Sequence, residues 1–185
     1  MALITESGPE TLSIGSKGPT FNLPATDGTE YSLQFFKESK AVVISFTCNH
    51  CPYAKAYEDR FIDLTQKFTS QGIAFVAINS NDDINYPDDS FENMKIRAKN
   101  RNFPFPYLRD HSQEIAKAYG AVCTPHFFVL NQNKSLVYEG RLDDNWKEPS
   151  SVTSRDLYNA VEAIVMDNPV STPNTNPMGC SIKWK

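Results

Sequence analysis

The sequence predicts an α/β domain in which helices flank a central mixed sheet. Residues 41–47 and 73–78 are apolar and rich in β-branched side chains, which is typical of buried strands, and a helical segment lies between them. Residues 126–130 and 135–138 are two further apolar segments around a polar turn, which indicates an antiparallel hairpin. Together these segments predict one right-handed βαβ unit that is extended by antiparallel strands.

The N-terminal part predicts a hairpin that precedes this unit. Residues 1–18 are rich in Gly, Ser and Pro, and we expect an extended lead-in there. Asp27-Gly28 lies between two short apolar segments, and this dipeptide favours a tight turn. The helix after the first buried strand ends at Gly72 and has large apolar side chains on one face, which we expect to pack against the sheet. These side chains are Tyr53, Tyr57, Phe61, Leu64 and Phe68.

The second half of the chain adds an insertion, two helices and a tail. Residues 80–108 form the insertion, in which an acidic loop that we expect to be solvated precedes a helix. Shorter helical patterns cover residues 112–119 and 154–166, and residues 167–185 form a polar C-terminal tail with several prolines. No repeat or linker divides the sequence, so we expect a single domain over residues 1–185.

Composition and charge exclude several classes of function. The net charge is −4 and the pI is near 5.4, whereas proteins that bind nucleic acid present a basic surface. The N-terminus has neither the cationic nor the apolar segment of a signal peptide, and no apolar run is long enough to cross a membrane. We therefore expect a cytoplasmic protein with no nucleic-acid and no membrane partner. Four cysteines in a reducing compartment favour catalytic or sensing thiols over structural disulfides.

The most informative motif is Cys48-Asn49-His50-Cys51, which lies between the first buried strand and the helix. We expect Cys48 at the helix N-terminus, where backbone N–H groups and the helix dipole stabilise a thiolate. Cys51 is then close enough to form a disulfide with it or to resolve a mixed disulfide. A CxxC motif beside a βαβ pattern indicates a redox-active dithiol, with Cys48 as the nucleophile and Cys51 as the resolving thiol.

Structural zinc and inert thiols are the alternative interpretations of this motif. A structural zinc site usually needs a second pair of ligands. The remaining candidates are isolated and form neither a second CxxC nor an HxxxH pattern; they are Cys123, Cys180, His111 and His126. We therefore expect no metal and no cofactor.

Several segments together resemble the thioredoxin-like redoxins of the alkyl hydroperoxide reductase/thiol-specific antioxidant group. The resemblance covers about residues 15–165 and includes the order of the elements. The matching segments are Gly-Pro-Thr-Phe-Asn-Leu-Pro at 18–24, Cys-Asn-His-Cys-Pro-Tyr at 48–53, Ala-Tyr-Gly-Ala-Val-Cys-Thr-Pro at 118–125 and Phe-Phe-Val-Leu at 127–130.

This resemblance implies a thioredoxin fold with an N-terminal β-hairpin extension, a helical insertion after the first βαβ unit and a C-terminal tail. It also implies that the Thr124-Pro125 peptide bond is cis and faces the CxxC motif, which leaves the backbone of Thr124 free to pair with a bound peptide. The aspartate buried behind the active site of thioredoxins has no evident counterpart, because Val42 and Ile44 lie at the matching strand positions.

His50 matches the Cys-x-His-Cys pattern of strongly oxidising thioredoxin-fold proteins. A histidine at this position can stabilise the thiolate and thereby favour the dithiol form. We therefore predict a Cys48/Cys51 reduction potential less negative than the roughly −270 mV of thioredoxin. Alternatively, His50 is a solvent-facing helix residue with no influence.

Cys123 and Cys180 are candidate auxiliary thiols. Cys123 precedes the Thr-Pro pair and is either a small buried apolar residue or a third thiol able to exchange with Cys48. Cys180 lies in the tail, which either docks through Trp184 and brings Cys180 near the active site or is a disordered end. We expect docking, because Trp, Ile and Cys together are unusual in a disordered tail.

The function that we expect is a thiol-disulfide oxidoreductase. Its partners would be a protein or small-molecule disulfide substrate and an external thiol electron donor, and the oligomeric state stays open. A lesser alternative is a metal-binding or copper-delivery module that uses Cys48, Cys51, His50 or Cys123, since soft thiolates suit Cu(I) and zinc.

The main alternative to the oxidoreductase is a thiol-dependent peroxidase, because the frame resembles peroxiredoxins. Their Pro-xxx-Thr-xx-Cys pattern is half met, since Ser45 supplies the hydroxyl position but Ala41 replaces the proline. The arginine of such sites has three candidates, Arg97, Arg101 and Arg109.

Overall fold

The computed structural model describes residues 3–4 and 12–185. The expected hairpin is present in the N-terminal part, where two short strands pair antiparallel around a turn in which Gly28 has a φ of 86°. Half of the expected lead-in, residues 1–2 and 5–11, lies outside the described residues, and a two-residue strand within it was not predicted. The three strands are β1 (Leu3–Ile4), β2 (Asn22–Pro24) and β3 (Glu30–Ser32).

The other elements alternate between strand and helix up to the strand Cys123–Thr124, which two further strands follow directly, as expected for an α/β fold with an antiparallel hairpin. They are β4 (Ala41–Phe46), α1 (Pro52–Phe68), β5 (Ile73–Asn79), α2 (Phe91–Asn100), β6 (Tyr107–Arg109), α3 (Glu114–Tyr119), β7 (Cys123–Thr124), β8 (His126–Asn131), β9 (Leu136–Gly140), α4 (Asp156–Val165) and β10 (Met178–Ser181). Among the described residues, no helix combines the length and the apolar character needed to cross a bilayer.

The central sheet has the strand order β6-β5-β4-β8-β9 and is mixed, as expected. The pairs β4–β5 and β5–β6 are parallel, whereas β8 is antiparallel to both β4 and β9. All six residues of β4 are buried, and successive side chains contribute to clusters on opposite faces of the sheet. The stripe on α1 packs into one of these clusters, where Phe61 contacts Phe75, Phe105 and Phe127.

The insertion departs from the prediction, because its acidic segment is not a solvated loop. Asp82 and Asp89 are buried, and only part of the acidic cluster faces solvent. The segment also contains β6, which lies at the edge of the central sheet and was not predicted as a strand. Two carboxylates are therefore brought inside the molecule, and one of them reaches the CxxC motif.

The C-terminal tail docks on the domain through a short strand. β10 pairs antiparallel with both β7 and β1, so the disordered alternative is wrong. The anchor differs from the predicted one, because Ile182 is 3% exposed whereas Trp184 is 43% exposed. Ile182 packs into the cluster on the second face of the sheet, which explains why it, rather than the larger indole, holds the tail.

Candidate redox site

The CxxC motif lies in a loop that joins β4 to α1, and only its last residue touches the helix. α1 begins at Pro52 with Cys51 as the N-cap residue, so the prediction that Cys48 lies at the helix N-terminus is wrong. Asn49 explains the difference, since its backbone N–H donates to Asp89 Oδ1 at 2.6 Å and its side chain donates to the Asp88 carbonyl at 2.7 Å. These bonds hold the loop outside helical geometry until Pro52, a residue that favours the first helical position.

Both thiols of the motif contact Thr124. Cys48 Sγ lies 3.2 Å from Thr124 Oγ1, and the Cys51 thiol donates to the Thr124 carbonyl oxygen at 3.1 Å. The Thr124-Pro125 peptide bond is cis, as the resemblance implied. Cys48 is 3% exposed and Cys51 is fully buried, so the pair is enclosed by the loop and by β7.

The backbone of Thr124 is not free to pair with a bound peptide. β10 lies antiparallel to β7, with Cys180 opposite Thr124 and Ser181 opposite Cys123. The chain therefore supplies its own strand at the position that was expected to receive a substrate. This placement also brings Cys180 to the active site, as predicted for a docked tail.

Cys180 and Cys123 have different surroundings. Cys180 packs against the cluster formed by Cys48, Cys51 and Ala54. Cys123 is fully buried, and its thiol donates to the Pro125 carbonyl oxygen at 3.6 Å. The structure thus places Cys180, and not Cys123, in the group of thiols around the CxxC motif.

The electrostatics of the pair differ from the expectation that the thiolate lies on Cys48. A hydrogen bond from the Cys48 thiol lowers the pKa of Cys51 to about 5, and a hydrogen bond from Cys180 acts in the same direction. The same Cys48–Cys51 bond, together with burial and the charge of Asp89, raises the pKa of Cys48 well above its usual value. The two pKa shifts are opposite in direction, and the hydrogen bond between the two thiols is the largest cause of both.

His50 is paired with a buried carboxylate and is not a free surface residue. Its Nδ1 lies 2.6 Å from Asp89 Oδ2, and its ring stacks on Tyr86 with the centroids 5.4 Å apart. The His50 side chain is 22% exposed and that of Asp89 is fully buried. His50 therefore lies before the helix and is held by the insertion, which sets the orientation of its ring, while its influence on the dithiol stays a prediction.

Asp89 organises the polar side of the site. Besides Asn49 and His50, its carboxylate accepts from Asn79 Nδ2 at 3.1 Å and from Asn81 Nδ2 at 2.8 Å. The carboxylate lies on a short 3₁₀ turn, Pro87–Asp89, and sequence reasoning missed it. No local pattern distinguishes it from the exposed Asp88 beside it.

A small cavity of about 20 Å³ lies beside Cys48. It is lined mainly by aromatic side chains, together with Ser45 and Arg97. Of the three arginines considered for a peroxidase, Arg97 is the one on its wall, whereas Arg101 pairs with Glu58 and the exposed Asp59, and Arg109 pairs with Asp83. The cavity is about large enough for one molecule the size of water.

Three side chains could hold a metal ion. The ligand atoms of Cys48, His50 and Asp89 lie within 4.8 Å of one another. The carboxylate of Asp89 already accepts four hydrogen bonds, so an ion could bind it only by displacing some of these donors. Among the described residues, this group includes neither Cys51 nor Cys123, which were part of the predicted metal alternative.

Comparisons with known proteins support the same interpretation of the fold. A solved structure of an uncharacterized conserved protein from Geobacillus kaustophilus matches with a TM-score of 0.92 and 41% identity, over 100% of this chain and 97% of that chain. A peroxidoxin BcpB structure from Mycobacterium tuberculosis has a TM-score of 0.62 at 19% identity, over 83% of this chain and 96% of that chain.

Sequence relatives and the family model agree with these structures. A thiol-disulfide oxidoreductase ResA from Bacillus thuringiensis is 24% identical over 130 residues, which are 70% of each chain. The Redoxin family model matches residues 13–157, which include the CxxC motif and the Thr-Pro pair. This chain therefore belongs to the Redoxin family.

Proposed function

We propose that this protein is a thiol-disulfide oxidoreductase that uses Cys48 and Cys51. The observation that carries the proposal is the convergence of both sulfurs on Thr124, at 3.2 and 3.1 Å, with a hydrogen bond between the two thiols. Two cysteines in contact, of which Cys51 caps the helix and has a pKa lowered to about 5, form a dithiol poised for exchange. The Redoxin family and the ResA relatives support this chemistry.

The exchange has two steps that balance within the pair. The Cys48 thiolate attacks one sulfur of a substrate disulfide, which breaks the S–S bond, forms a mixed disulfide and releases one substrate thiol. The first substrate sulfur to leave takes the proton of Cys51, and the Cys51 thiolate then attacks the Cys48 sulfur, which forms the Cys48–Cys51 disulfide and releases the second substrate half as a thiolate. Two electrons have moved from the dithiol to the substrate, and an external thiol donor returns them.

Cys48 is proposed as the attacking thiol although the pKa of Cys48 is raised and that of Cys51 is lowered. Cys51 is fully buried and lies among Cys48, Thr124 and Cys180, whereas Cys48 retains 3% exposure. Transfer of the shared proton from Cys48 to Cys51 turns the outer sulfur into the thiolate at the moment of attack. A base in direct hydrogen-bond contact is the usual means of activating such a nucleophile.

The partners are a disulfide substrate and a thiol electron donor. Both thiols are nearly enclosed, and β10 occupies the backbone edge of Thr124. A small-molecule disulfide needs less displacement of the tail than a protein disulfide, so we propose small disulfides as the first substrates to test. A reducing compartment such as the cytoplasm would supply the donor.

The test is turnover of oxidised glutathione, or of a chromogenic small disulfide, with dithiothreitol as the donor. Cys48→Ser should abolish turnover, and Cys51→Ser should stop the reaction at the mixed disulfide. Cys123→Ser is the matched control, because Cys123 is buried but does not belong to the group of thiols, and it should retain wild-type rates. Unchanged turnover by Cys48→Ser would refute the assignment.

A peroxidase is the second candidate, and the cavity beside Cys48 favours it. A space of about 20 Å³ lined by Ser45 and Arg97 suits a peroxide better than a larger substrate. Arg97 is, however, engaged by Glu58 through a 2.7 Å ion pair. Stopped-flow oxidation of the reduced protein by hydrogen peroxide decides between the two. A rate far above that of an ordinary thiol, lost in Arg97→Met, supports the peroxidase, and a slow rate in both proteins excludes it.

A further inference from the structure

Cys180 and Cys51 both lie beside Thr124. The strand register places Cys180 opposite Thr124, and the Thr124 carbonyl oxygen is the group to which the Cys51 thiol donates at 3.1 Å. The Cys180 side chain packs on the cluster that contains both Cys51 and Cys48. Three thiols, and not two, therefore meet at this point of the fold.

The position of Cys180 is fixed by its neighbours in the tail. Gly179 lies so close to β7 that a Cβ atom there would come within 2.2 Å of the Thr124 carbonyl oxygen. Ile182 follows β10 directly and is buried in the cluster on the second face of the sheet. The Lys183 N–H donates to Asn81 Oδ1 at 2.8 Å. Backbone and core contacts on the C-terminal side thus hold this thiol against Cys51.

Cys180 also differs from the CxxC thiols in its access to solvent. It is partly exposed, whereas Cys48 and Cys51 are buried. An external thiol or disulfide can therefore reach Cys180 while the tail is docked. A partly exposed thiol in contact with a buried reactive one can pass electrons between an external thiol or disulfide and the CxxC motif.

We propose that Cys180 is a third redox-active thiol, which exchanges with the Cys48–Cys51 disulfide through Cys51. The Cys180 thiolate attacks the Cys51 sulfur, the Cys48–Cys51 bond breaks, a Cys51–Cys180 bond forms and Cys48 leaves as a thiolate. One disulfide replaces another, so the step needs no oxidant or reductant. The inference rests on the proposed function, and it gives the oxidised protein a second form in which Cys48 is reduced and the tail is cross-linked.

The test maps disulfides after oxidation of the full chain by oxidised glutathione and alkylation of the remaining thiols. Trypsin leaves Cys48 and Cys51 on one peptide, Cys123 on a second and Cys180 on a third, because no Lys or Arg separates the first two. We expect wild type to yield both the internal Cys48–Cys51 disulfide and the cross-peptide Cys51–Cys180 disulfide. Cys48→Ser should yield the cross-peptide disulfide alone, and Cys48→Ser with Cys180→Ser should yield neither.

Two results separate this inference from the proposed function. If Cys180→Ser forms the Cys48–Cys51 disulfide but neither wild type nor Cys48→Ser gives the cross-peptide disulfide, the third thiol is refuted and the proposed function stands. If Cys180→Ser forms no Cys48–Cys51 disulfide but Cys48→Ser gives the cross-peptide disulfide, the proposed function fails and the contact between Cys51 and Cys180 is confirmed. Cys123→Ser is the matched control and should reproduce the wild-type map. The wild-type map does not depend on the folding of any variant.

Discussion

The CxxC motif is enclosed by two segments that stabilise it in different ways. On the insertion side, Asp89 is a fully buried carboxylate that holds four donors, His50 and the Asn49 N–H among them. On the tail side, Cys180 is held by a backbone ladder and by the burial of Ile182. The first side is a dense polar network, and the second is a short strand with one apolar anchor.

The difference shows how the charge of the dithiol is placed. Asp89 carries a fixed negative charge and raises the pKa of Cys48, whereas Cys180 donates to Cys51 and lowers its pKa. Both sides therefore direct the negative charge toward Cys51, one by repulsion and the other by hydrogen bonding. The polar side should be costly to disturb, because each donor to Asp89 would be left without its charged acceptor.

The largest effect is expected from Asp89→Asn, which breaks the polar side. In this variant the side-chain NH2 group faces the donors that bind the Asp89 carboxylate in the wild type. We therefore expect a loss of about 3–5 kcal/mol in the free energy of unfolding. Urea unfolding measures this loss. Asp88→Asn makes the same change of charge at the exposed neighbour and should cost less than about 0.5 kcal/mol. Equal losses in the two variants would show that Asp89 does not organise the site.

The next effect is expected from Ile182→Ala, which weakens the tail side. Removal of a buried isoleucine side chain costs about 2–4 kcal/mol, and here the cost falls on the docking of β10. We expect faster alkylation of Cys51 by iodoacetamide, measured by mass spectrometry of the quenched protein. Trp184→Ala removes a larger but 43% exposed side chain and should leave the rate unchanged. Faster alkylation in Trp184→Ala alone would restore Trp184 as the anchor.

A smaller effect is expected from Cys180→Ala, which removes one donor to Cys51. The pKa of Cys51, near 5 in the wild type, should rise by about one unit, which corresponds to about 1.4 kcal/mol. The absorbance of the thiolate at 240 nm, followed against pH, measures it. Cys123→Ala lacks a different buried thiol and should titrate as wild type does. If the pKa of Cys51 does not rise in Cys180→Ala, the tail does not lower the pKa of this thiol.

The smallest effect concerns His126, whose Nδ1 accepts from the Val122 N–H beside the tail strand. Burial lowers its pKa to about 3, so the unfolded chain binds a proton first as the pH falls through about 6.5. The contribution of neutral His126 to the free energy of unfolding is fully present at higher pH. It is lost as the pH falls from about 6.5 toward 3. We expect a loss of about 0.7 kcal/mol between pH 7 and pH 6.

His126→Asn should remove this pH dependence while keeping an acceptor for the Val122 N–H. Urea unfolding at several pH values measures it. His111→Asn is the matched control, because the His111 side chain is 69% exposed, and its pH profile should match that of the wild type. An unchanged slope in His126→Asn would contradict the assignment.

Local pattern predicted most of the fold, because β4, α1 and β5 have strong periodicity and the CxxC motif lies between two of them. The site was only partly predictable, since its other residues come from distant segments. Asp89 lies 39 residues from His50, and nothing near it in sequence indicates burial. β10 has the sequence Met-Gly-Cys-Ser, which has little strand propensity and forms a strand only because β7 and β1 are available to pair.

The role of Cys48 shows why a motif alone does not fix the placement of charge. The spacing predicted a helix N-terminus at Cys48, but Asn49 is held by the insertion and the helix begins at Pro52. The stabilising effect of the helix start therefore falls on Cys51. A contact between distant segments thus moves the helix start by three residues without changing the chemistry that the motif supports.

The central claim is that Cys48 and Cys51 form a reversible redox couple whose dithiol form is stabilised. The most direct measurement is a redox titration of the full chain in dithiothreitol buffers, with alkylation and mass mapping at each potential. Since the low pKa of Cys51 favours the dithiol form, the account predicts a two-electron transition with a midpoint less negative than about −270 mV. If Cys48 and Cys51 are alkylated at every potential, they form no redox couple. If the midpoint is at or below that value, the dithiol form is not stabilised.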